Sequence, residues 1–328
     1  MKAIIPMAGS GTRLRPLTHS KPKALLYVGS KPIIYHIIDS LLPLGCTELI
    51  LIISHEGANI PLSVKKHYPE IEIETIIQEK QLGLGHAVSL AKNYAAGEEI
   101  IVIYGDTIIG GELTGCINRD VDGVIAVKEV EDPRRFGIVH VENGVIIRFV
   151  EKPLEPKSNL VIVGFNYIKH SDILFECLDE IIGKNQKTKE EFQITDAFQL
   201  MINHGLTLIP FTIDQWFDCG TPQTLLETNR YILAKEGNHM TVPGSIVIPP
   251  AFISKDARII HSIIGPHVSI GEKAFIEKSI ISDSIIGSGT KISHACIDRS
   301  LIGDNAQVIE RPRFLAIGDN SSLNFEIS

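Results

Sequence analysis

The sequence predicts an α/β domain built on a mixed, mostly parallel sheet, followed by a short parallel β-helix. Three observations carry that expectation. Over the first two-thirds of the 328 residues short apolar runs alternate with helical patterns, later strand-like runs are separated by polar turns, and the last stretch repeats isoleucine or valine every six residues.

The alternating part reads in order as strand 2–7, helix about 32–44, strand 48–53, helix about 60–67, strand 71–77, helix about 84–94 and strand 99–104. Continuous apolar strands interleaved with helical patterns indicate βαβ units, whose parallel sheet is covered on both faces in a Rossmann-like manner. A later group of strands, at about 123–130, 136–141, 144–150 and 161–168, is broken by turns such as Glu142-Asn143-Gly144. This group is expected to extend the sheet and to form a lobe, about 123–220, over its edge.

Beyond about residue 240 the columns Val247-Ile253-Ile259, Ile264-Ile270-Ile276, Ile286-Ile292 and Ile302-Val308 keep the six-residue period, and Ser262-Ile263-Ile264-Gly265, Ser284-Ile285-Ile286-Gly287 and Ser300-Leu301-Ile302-Gly303 mark it. Such periodicity is the signature of a left-handed parallel β-helix, each coil burying its aliphatic corners against the next. The division expected is 1–238 and 239–328. Stacked coils have open ends and flat sides, so the second part is the expected surface for homo-oligomer formation.

Composition narrows the class of function. With 44% hydrophobic and 21% charged residues the chain can bury a sizeable core, and a net charge of −8 argues against a nucleic-acid binder. No apolar run is long enough for a membrane span and the first residues lack a signal-peptide pattern, so a cytoplasmic protein without membrane partners is expected. The five cysteines are scattered without a CxxC pair and read as reduced packing residues.

Local basic residues in an acidic chain point to a small anionic ligand held at one place. Gly9-Ser10-Gly11-Thr12-Arg13-Leu14-Arg15-Pro16, then Lys21-Pro22-Lys23, follow the first strand directly. Glycines let backbone N–H groups approach an anion, and the arginines and lysines neutralise charge that amides alone do not. The P-loop spacing is absent, and a dinucleotide fingerprint needs a small residue where Leu14 stands. Asp106 ends a strand in Gly105-Asp106-Thr107, a place equally suited to an ordinary turn residue, and Asp218 lies among aromatics in Trp216-Phe217-Asp218-Cys219-Gly220-Thr221, where an N-cap or a buried pair is the alternative.

Gly-x-Gly-Thr-Arg-Leu-x-Pro followed by Lys-Pro-Lys resembles the signature of the sugar-1-phosphate nucleotidylyltransferases, above all the branches that transfer thymidylyl or uridylyl groups to glucose 1-phosphate. The resemblance implies that Gly9, Gly11, Thr12 and Arg13 cradle a nucleoside triphosphate, best dTTP or UTP. It further implies that Asp106 and Asp218, the aspartates of the GD and WxDxGT motifs, hold Mg²⁺, and that Lys23 serves the α-phosphate. Two aspartates are what a hard magnesium ion wants when substrate phosphate and water complete its shell. Gln78 and Gly83, in Gln78-Glu79-Lys80-Gln81-Leu82-Gly83, match the segment that meets the nucleobase, where a glutamine amide offers a donor and an acceptor to a pyrimidine. Gly137 in Arg135-Phe136-Gly137-Ile138 and Glu151-Lys152-Pro153 match the sugar loops, so Gly137 and Glu151 would hold sugar hydroxyls and Lys152 the sugar phosphate. Gln193-Ile194-Thr195-Asp196 departs from the family's E-I-T-D by one residue, and Lys189 stands where related enzymes place an arginine.

The reaction so implied joins a sugar 1-phosphate to a nucleoside monophosphate with loss of pyrophosphate. Three rivals stand beside it. A guanylyltransferase acting on mannose 1-phosphate shares the first motif, but Gln78 and Gly83 count against it. A β-helix acyltransferase would draw a histidine from His261, His267 or His294, with few coils to support it. A non-catalytic regulatory subunit has no use for both aspartates and the cations.

Overall fold

The computed structural model describes residues 1–236, 240–312 and 314–322. Contacts divide the chain into two units, Met1–Ile232 and Leu233–Ser328. The expected boundary at 238/239 falls on residues outside those described.

The first unit runs β1 (Lys2–Pro6), β2 (Tyr27–Val28), β3 (Lys31–Pro32), α1 (Ile33–Leu41), β4 (Glu48–Ile53), α2 (Ile60–His67), β5 (Glu72–Ile77), α3 (Leu84–Ser89), α4 (Lys92–Ala95) and β6 (Ile100–Ile103). It continues through β7 (Thr107–Gly110), β8 (Gly123–Glu129), β9 (Gly137–Glu142), β10 (Val145–Glu151), β11 (Leu160–Ile168), α5 (Ser171–Gly183), α6 (Ile194–Asn203), β12 (Leu208–Thr212), β13 (Gln215–Asp218) and the start of α7 (Pro222–Glu236), whose last turn falls past the division. Nine strands form one sheet in the order β10-β9-β11-β6-β1-β4-β5, with β8 beside β11 and β12 beside β8. Strands β8 to β12 therefore join the first sheet, and β11 runs antiparallel to β6.

Strands β1, β4 and β6 are buried on both faces, as their unbroken apolar runs require. On one face Ile4, Ile50, Ile52 and Val102 pack against Val88 of α3, Phe175 and Leu178 of α5 and Phe198 of α6. Two helices differ from expectation. The first is shorter than 32–44: α1 stops at Leu41, and a 3₁₀ turn containing Pro43 leads to Gly45 at φ 79. The segment 84–94 is two helices, because Ala91 N–H bonds the Val88 carbonyl three residues back while the Ser89 hydroxyl takes the His86 carbonyl. That i→i−3 turn tightens the backbone and ends α3.

His36 on α1 is half-buried with Nε2 2.8 Å from the Val28 carbonyl, and desolvation pulls its pKa from 6.5 down to about 4. The unfolded chain therefore binds a proton that the folded chain refuses. Stability is expected to be full above pH 6.5 and to fall as the pH drops toward 4, by about 3 kcal/mol from this residue. Urea titrations of wild type and His36→Gln at pH 7 and pH 4.5 check this, the variant showing the smaller difference.

The second unit winds through coils of three short strands: β14 (Ile246–Val247), β15 (Ala251–Ile253), β16 (Arg258–Ile260); β17 (Ile263–Ile264), β18 (Val268–Ile270), β19 (Phe275–Glu277); β20 (Ile280–Ile281), β21 (Ile285–Ile286), β22 (Lys291–Ser293); β23 (Cys296–Ile297), β24 (Leu301–Ile302), β25 (Gln307–Ile309). They stack as three parallel sheets, the arrangement of a left-handed parallel β-helix. Inward columns Val247/Ile264/Ile281/Ile297, Ile253/Ile270/Ile286/Ile302 and Ile259/Ile276/Ile292/Val308 align in register. From the third coil one corner loses a residue, so Ile281 precedes Ile286 by five positions and breaks the strict period. Serine hydroxyls rivet the coils: Ser245 Oγ accepts from Ser262 N–H, Ser262 Oγ from Ser279 N–H, and Ser279 Oγ from Ala295 N–H. His261, His267 and His294 occupy left-handed corners at φ 46, 60 and 58. His261 and His294 lie two coils apart, and the chain position of His267 puts it at a different corner.

Candidate active site

After β1 the chain moves to β4 and β5 on one side, then returns to β6 on the other. At such a switch point the carboxyl ends of neighbouring parallel strands open a crevice. Here the loops after β1 and β6 meet, Gly105 N–H donating to the Pro6 carbonyl at 3.1 Å. A cleft of about 410 Å³ opens beside them, and its lining includes Gly9, Gly11, Thr12, Arg13, Lys23 and Asp106.

The glycine-rich turn is held by its own hydrogen bonds. The Gly11 carbonyl, at φ 58, accepts from Leu14 N–H at 2.9 Å and from Thr18 Oγ1 at 2.8 Å. Leu14 is the buried member of the resulting 3₁₀ turn, which leaves Arg13 exposed. Lys23 begins a second such turn, anchored through buried Ala24 and Leu25.

Asp106 and Asp218 are brought together by a ribbon that the strand patterns did not reveal. β13 pairs antiparallel with β7, Asp218 opposite Thr107, and Cys219 N–H donates to the Asp106 carbonyl at 3.0 Å. Lys23 Nζ lies 2.6 Å from Asp106 Oδ2. Burial pushes the Asp218 carboxyl above the usual carboxylate range, the charge of Asp106 adds to the rise, and Lys23, Arg13 and Arg135 oppose it. The neighbouring Cys219 thiol is fully enclosed and pushed up to about 12, so it is no nucleophile.

Trp216 and Asp218 share a face of the ribbon because side chains alternate along a strand. The Trp216 ring meets Phe136 edge-on at 5.1 Å, and its Nε1 is buried without a hydrogen-bond partner among the described residues. On β9 and β10, Gly137 stands opposite Glu151. A Cβ at Gly137 would lie 2.9 Å from both Glu151 Oε2 and Thr195 Cγ2, so a larger residue would have to push these side chains aside. Glu151 is buried, its Oε2 accepting from Thr195 Oγ1 at 3.0 Å and its Oε1 lying 3.2 Å from Lys152 Nζ. Asp196 Oδ2 is buried without a partner among the described residues, and desolvation, aided by the charge of Glu151, raises its pKa. Gln193 closes its own turn, donating to the Thr188 carbonyl and Glu191, with Lys189 at φ 54 in that turn.

The segment from Gln78 to Gly83 closes on itself and on the helix that follows. Gln78 is buried, and its amide donates to the Gly83 carbonyl at 3.3 Å and points at His86 Nδ1, 2.9 Å away. Gln81, which the sequence reading passed over, lines the cleft and donates to the Ala8 carbonyl at 2.7 Å. Gly83 has φ 111, and a Cβ there would stand 2.6 Å from the Phe192 carbonyl oxygen. Phe192 N–H bonds the Leu82 carbonyl and its own carbonyl accepts from Gly85 N–H, so an alanine would prise this pairing apart. Gly83→Ala is expected to cost about 1–3 kcal/mol of stability. Thermal melts of the wild type and the variant check this.

Sequence reasoning brought out the glycine-rich turn, both aspartates and the Gly137–Glu151–Lys152 set. It missed Gln81, Tyr104 on the cleft lining, and the polar surroundings of Glu151 from Thr195 and Asp196. The signal for Gln81 was its place two residues before Gly83; nothing local marked Tyr104.

The family model for Nucleotidyl transferase matches residues 2–235. A glucose-1-phosphate thymidylyltransferase of Streptomyces antibioticus is 30% identical, the match covering 99% of this chain and 100% of that protein. The bifunctional protein GlmU of Methanococcus aeolicus is 33% identical over 94% of this chain and 79% of that protein. Among solved structures, a UDP-glucose pyrophosphorylase from Acinetobacter baumanii superposes with a TM-score of 0.60 at 25% identity, covering 71% of this chain and 93% of that one.

Proposed function

The chain belongs to the nucleotidyl transferase family, and from that premise we propose that it transfers a nucleoside monophosphate to a sugar 1-phosphate, with dTTP or UTP as donor and glucose 1-phosphate as acceptor. The observation that carries this reading is that Arg13, Lys23 and Asp106 line one strand-end cleft and that Asp218 lies within electrostatic reach of all three. The full-length similarity to a glucose-1-phosphate thymidylyltransferase supports the choice of substrates.

An oxygen of the sugar 1-phosphate attacks the α-phosphorus, the α–β bridging bond breaks, and pyrophosphate departs with the electron pair. No side-chain base is needed, because the second pKa of a phosphate monoester is about 6 and the attacking oxygen is ionised at neutral pH. The obstacle is repulsion between two polyanions, so positioning and charge neutralisation supply the catalysis. Gly9, Gly11 and Thr12 cradle the triphosphate, Arg13 meets the charge that grows on pyrophosphate, and Lys23 serves the α-phosphate. Gln78 and Gly83 shape the segment that meets the base, with Gln81 on the cleft wall. Gly137 gives room for a sugar beside Glu151, whose carboxylate accepts from a sugar hydroxyl, and Lys152 faces the sugar phosphate.

The residues present fit a divalent metal. Asp106 and Asp218 crowd two carboxylates into a partly desolvated place, which a dication relieves, and among the described residues no third acidic, histidine or cysteine ligand joins them. Such a donor set suits Mg²⁺, which keeps water and substrate oxygens in its shell. When bound, Mg²⁺ would lower the charge on the transferring phosphate and hold it in line.

A homo-oligomer is part of the same reading. Ile246, Ile263 and Ile280 align in an outward column of the β-helix, with Ile246 59% and Ile280 48% exposed. Pyrophosphate release, measured with dTTP, UTP, GTP, ATP and CTP against glucose, mannose and N-acetylglucosamine 1-phosphates in Mg²⁺, tests the function. The expected result is release with dTTP or UTP and glucose 1-phosphate; GTP with mannose 1-phosphate would reassign the substrates, and no release in any pair would overturn the enzyme.

A further inference from the structure

The contact between Lys23 and Asp106 has two claimants. Lys23 Nζ sits 2.6 Å from Asp106 Oδ2, with the lysine side chain 15% and the aspartate 37% exposed. The same ammonium lines the cleft beside the glycine-rich turn, where a triphosphate would enter. Lysine is a compact charge on a flexible four-carbon stem, so the head group can move while buried Ala24 and Leu25 keep the backbone fixed.

Taking Asp106 and Asp218 as the metal ligands, the reading on which this step rests, we infer that Lys23 is the resident counter-ion of Asp106 in the nucleotide-free protein. It gives way to a divalent cation only when a nucleotide phosphate draws it off. Asp106 has its Oδ2 taken up by an ammonium at hydrogen-bond distance, and a dication arriving alone must displace that ammonium and face its charge. A nucleotide supplies both missing parts, an anion to receive Lys23 and oxygens to complete the shell of the metal. Metal and nucleotide then bind with mutual reinforcement, and by linkage each tightens the other by the same factor. Lys23 thus has two stations, Asp106 before the donor binds and the α-phosphate after it.

Binding of Mn²⁺, followed by the magnetic resonance signal of the free ion, tests this without turnover. The probes are Mn²⁺ alone and Mn²⁺ with the α,β-methylene analogue of dTTP or UTP, corrected for Mn²⁺ held by the analogue in solution. For the wild type, the analogue is expected to tighten Mn²⁺ binding about tenfold or more. Lys23→Met is expected to bind Mn²⁺ about tenfold more tightly than the wild type without nucleotide, and to lose most of the tightening with it. Lys23→Gln, checked for its fold by circular dichroism, serves if the methionine variant does not fold. Equal or weaker Mn²⁺ binding by the Lys23 variants, or a wild-type affinity that the analogue leaves unchanged, would overturn the exchange. Asp218→Asn separates the two claims. If it loses Mn²⁺ while the Lys23 variants gain nothing, the metal site stands and the exchange falls; if it keeps wild-type Mn²⁺ binding with the analogue, both fall.

Discussion

Asp218→Asn is expected to lower kcat on the order of 10³-fold and at the same time to raise the melting temperature of the metal-free protein. The first effect follows from losing one of the two carboxylates proposed to hold the metal, whose charge stabilisation would amount to several kcal/mol of barrier. The second follows from the same carboxylate in the empty site. Asp218 is pushed above the usual carboxylate range by burial and by Asp106. A carboxyl whose folded pKa is raised costs stability above that folded value, and the cost is relieved as the pH falls toward the unfolded value. Asparagine keeps the shape and removes the charge, so the variant melts higher at neutral pH, and its advantage over the wild type shrinks on acidification. Calorimetry at pH 7 and pH 5 with chelator present, alongside steady-state rates, checks both arms. A variant that melts lower at neutral pH would place Asp218 in a structural role, and one that turns over normally would remove it from the mechanism.

Arg13→Ala is expected to reduce kcat by roughly 10²–10³, the cost of removing one donor from developing charge on a phosphate. Arg13 is exposed on the turn that Leu14 anchors, so the fold is expected to survive. The loss belongs mainly in kcat, because pyrophosphate gains charge as the bond breaks and the interaction strengthens in the transition state. Lysine at this position is expected to recover only part of the rate, since it lacks the planar fork that grips two phosphate oxygens. A rise in KM with kcat unchanged would make Arg13 a ground-state anchor.

The strands β1, β4 and β6 were legible because each is buried on both faces and reads as an unbroken apolar run. The β-helix was legible because Ile264, Ile270 and Ile276 must fill one corner each, which imprints a period of six. The period faltered at Ile281, where a shorter corner leaves the core column intact but shifts its spacing. What the sequence concealed is long-range pairing. Thr107–Gly110 is four residues long and follows a turn, and only its pairing with Gln215–Asp218 brings Asp106 and Asp218 side by side. Gln78 was legible only through the resemblance of its segment, and its buried bonds to Gly83 and His86 depend on the path of the loop around it. Gln81 escaped notice because its partner, the Ala8 carbonyl, belongs to a different strand loop.

The direct displacement at phosphorus is best tested by its stereochemistry. With a donor triphosphate carrying a single sulfur of defined chirality at the α-phosphorus, one in-line attack by the sugar phosphate inverts that centre in the sugar nucleotide. Charge neutralisation by Arg13, Lys23 and a metal at Asp106 and Asp218, with no side-chain nucleophile, predicts complete inversion. Retention of configuration would show two displacements through a covalent nucleotidyl-enzyme, and would contradict it.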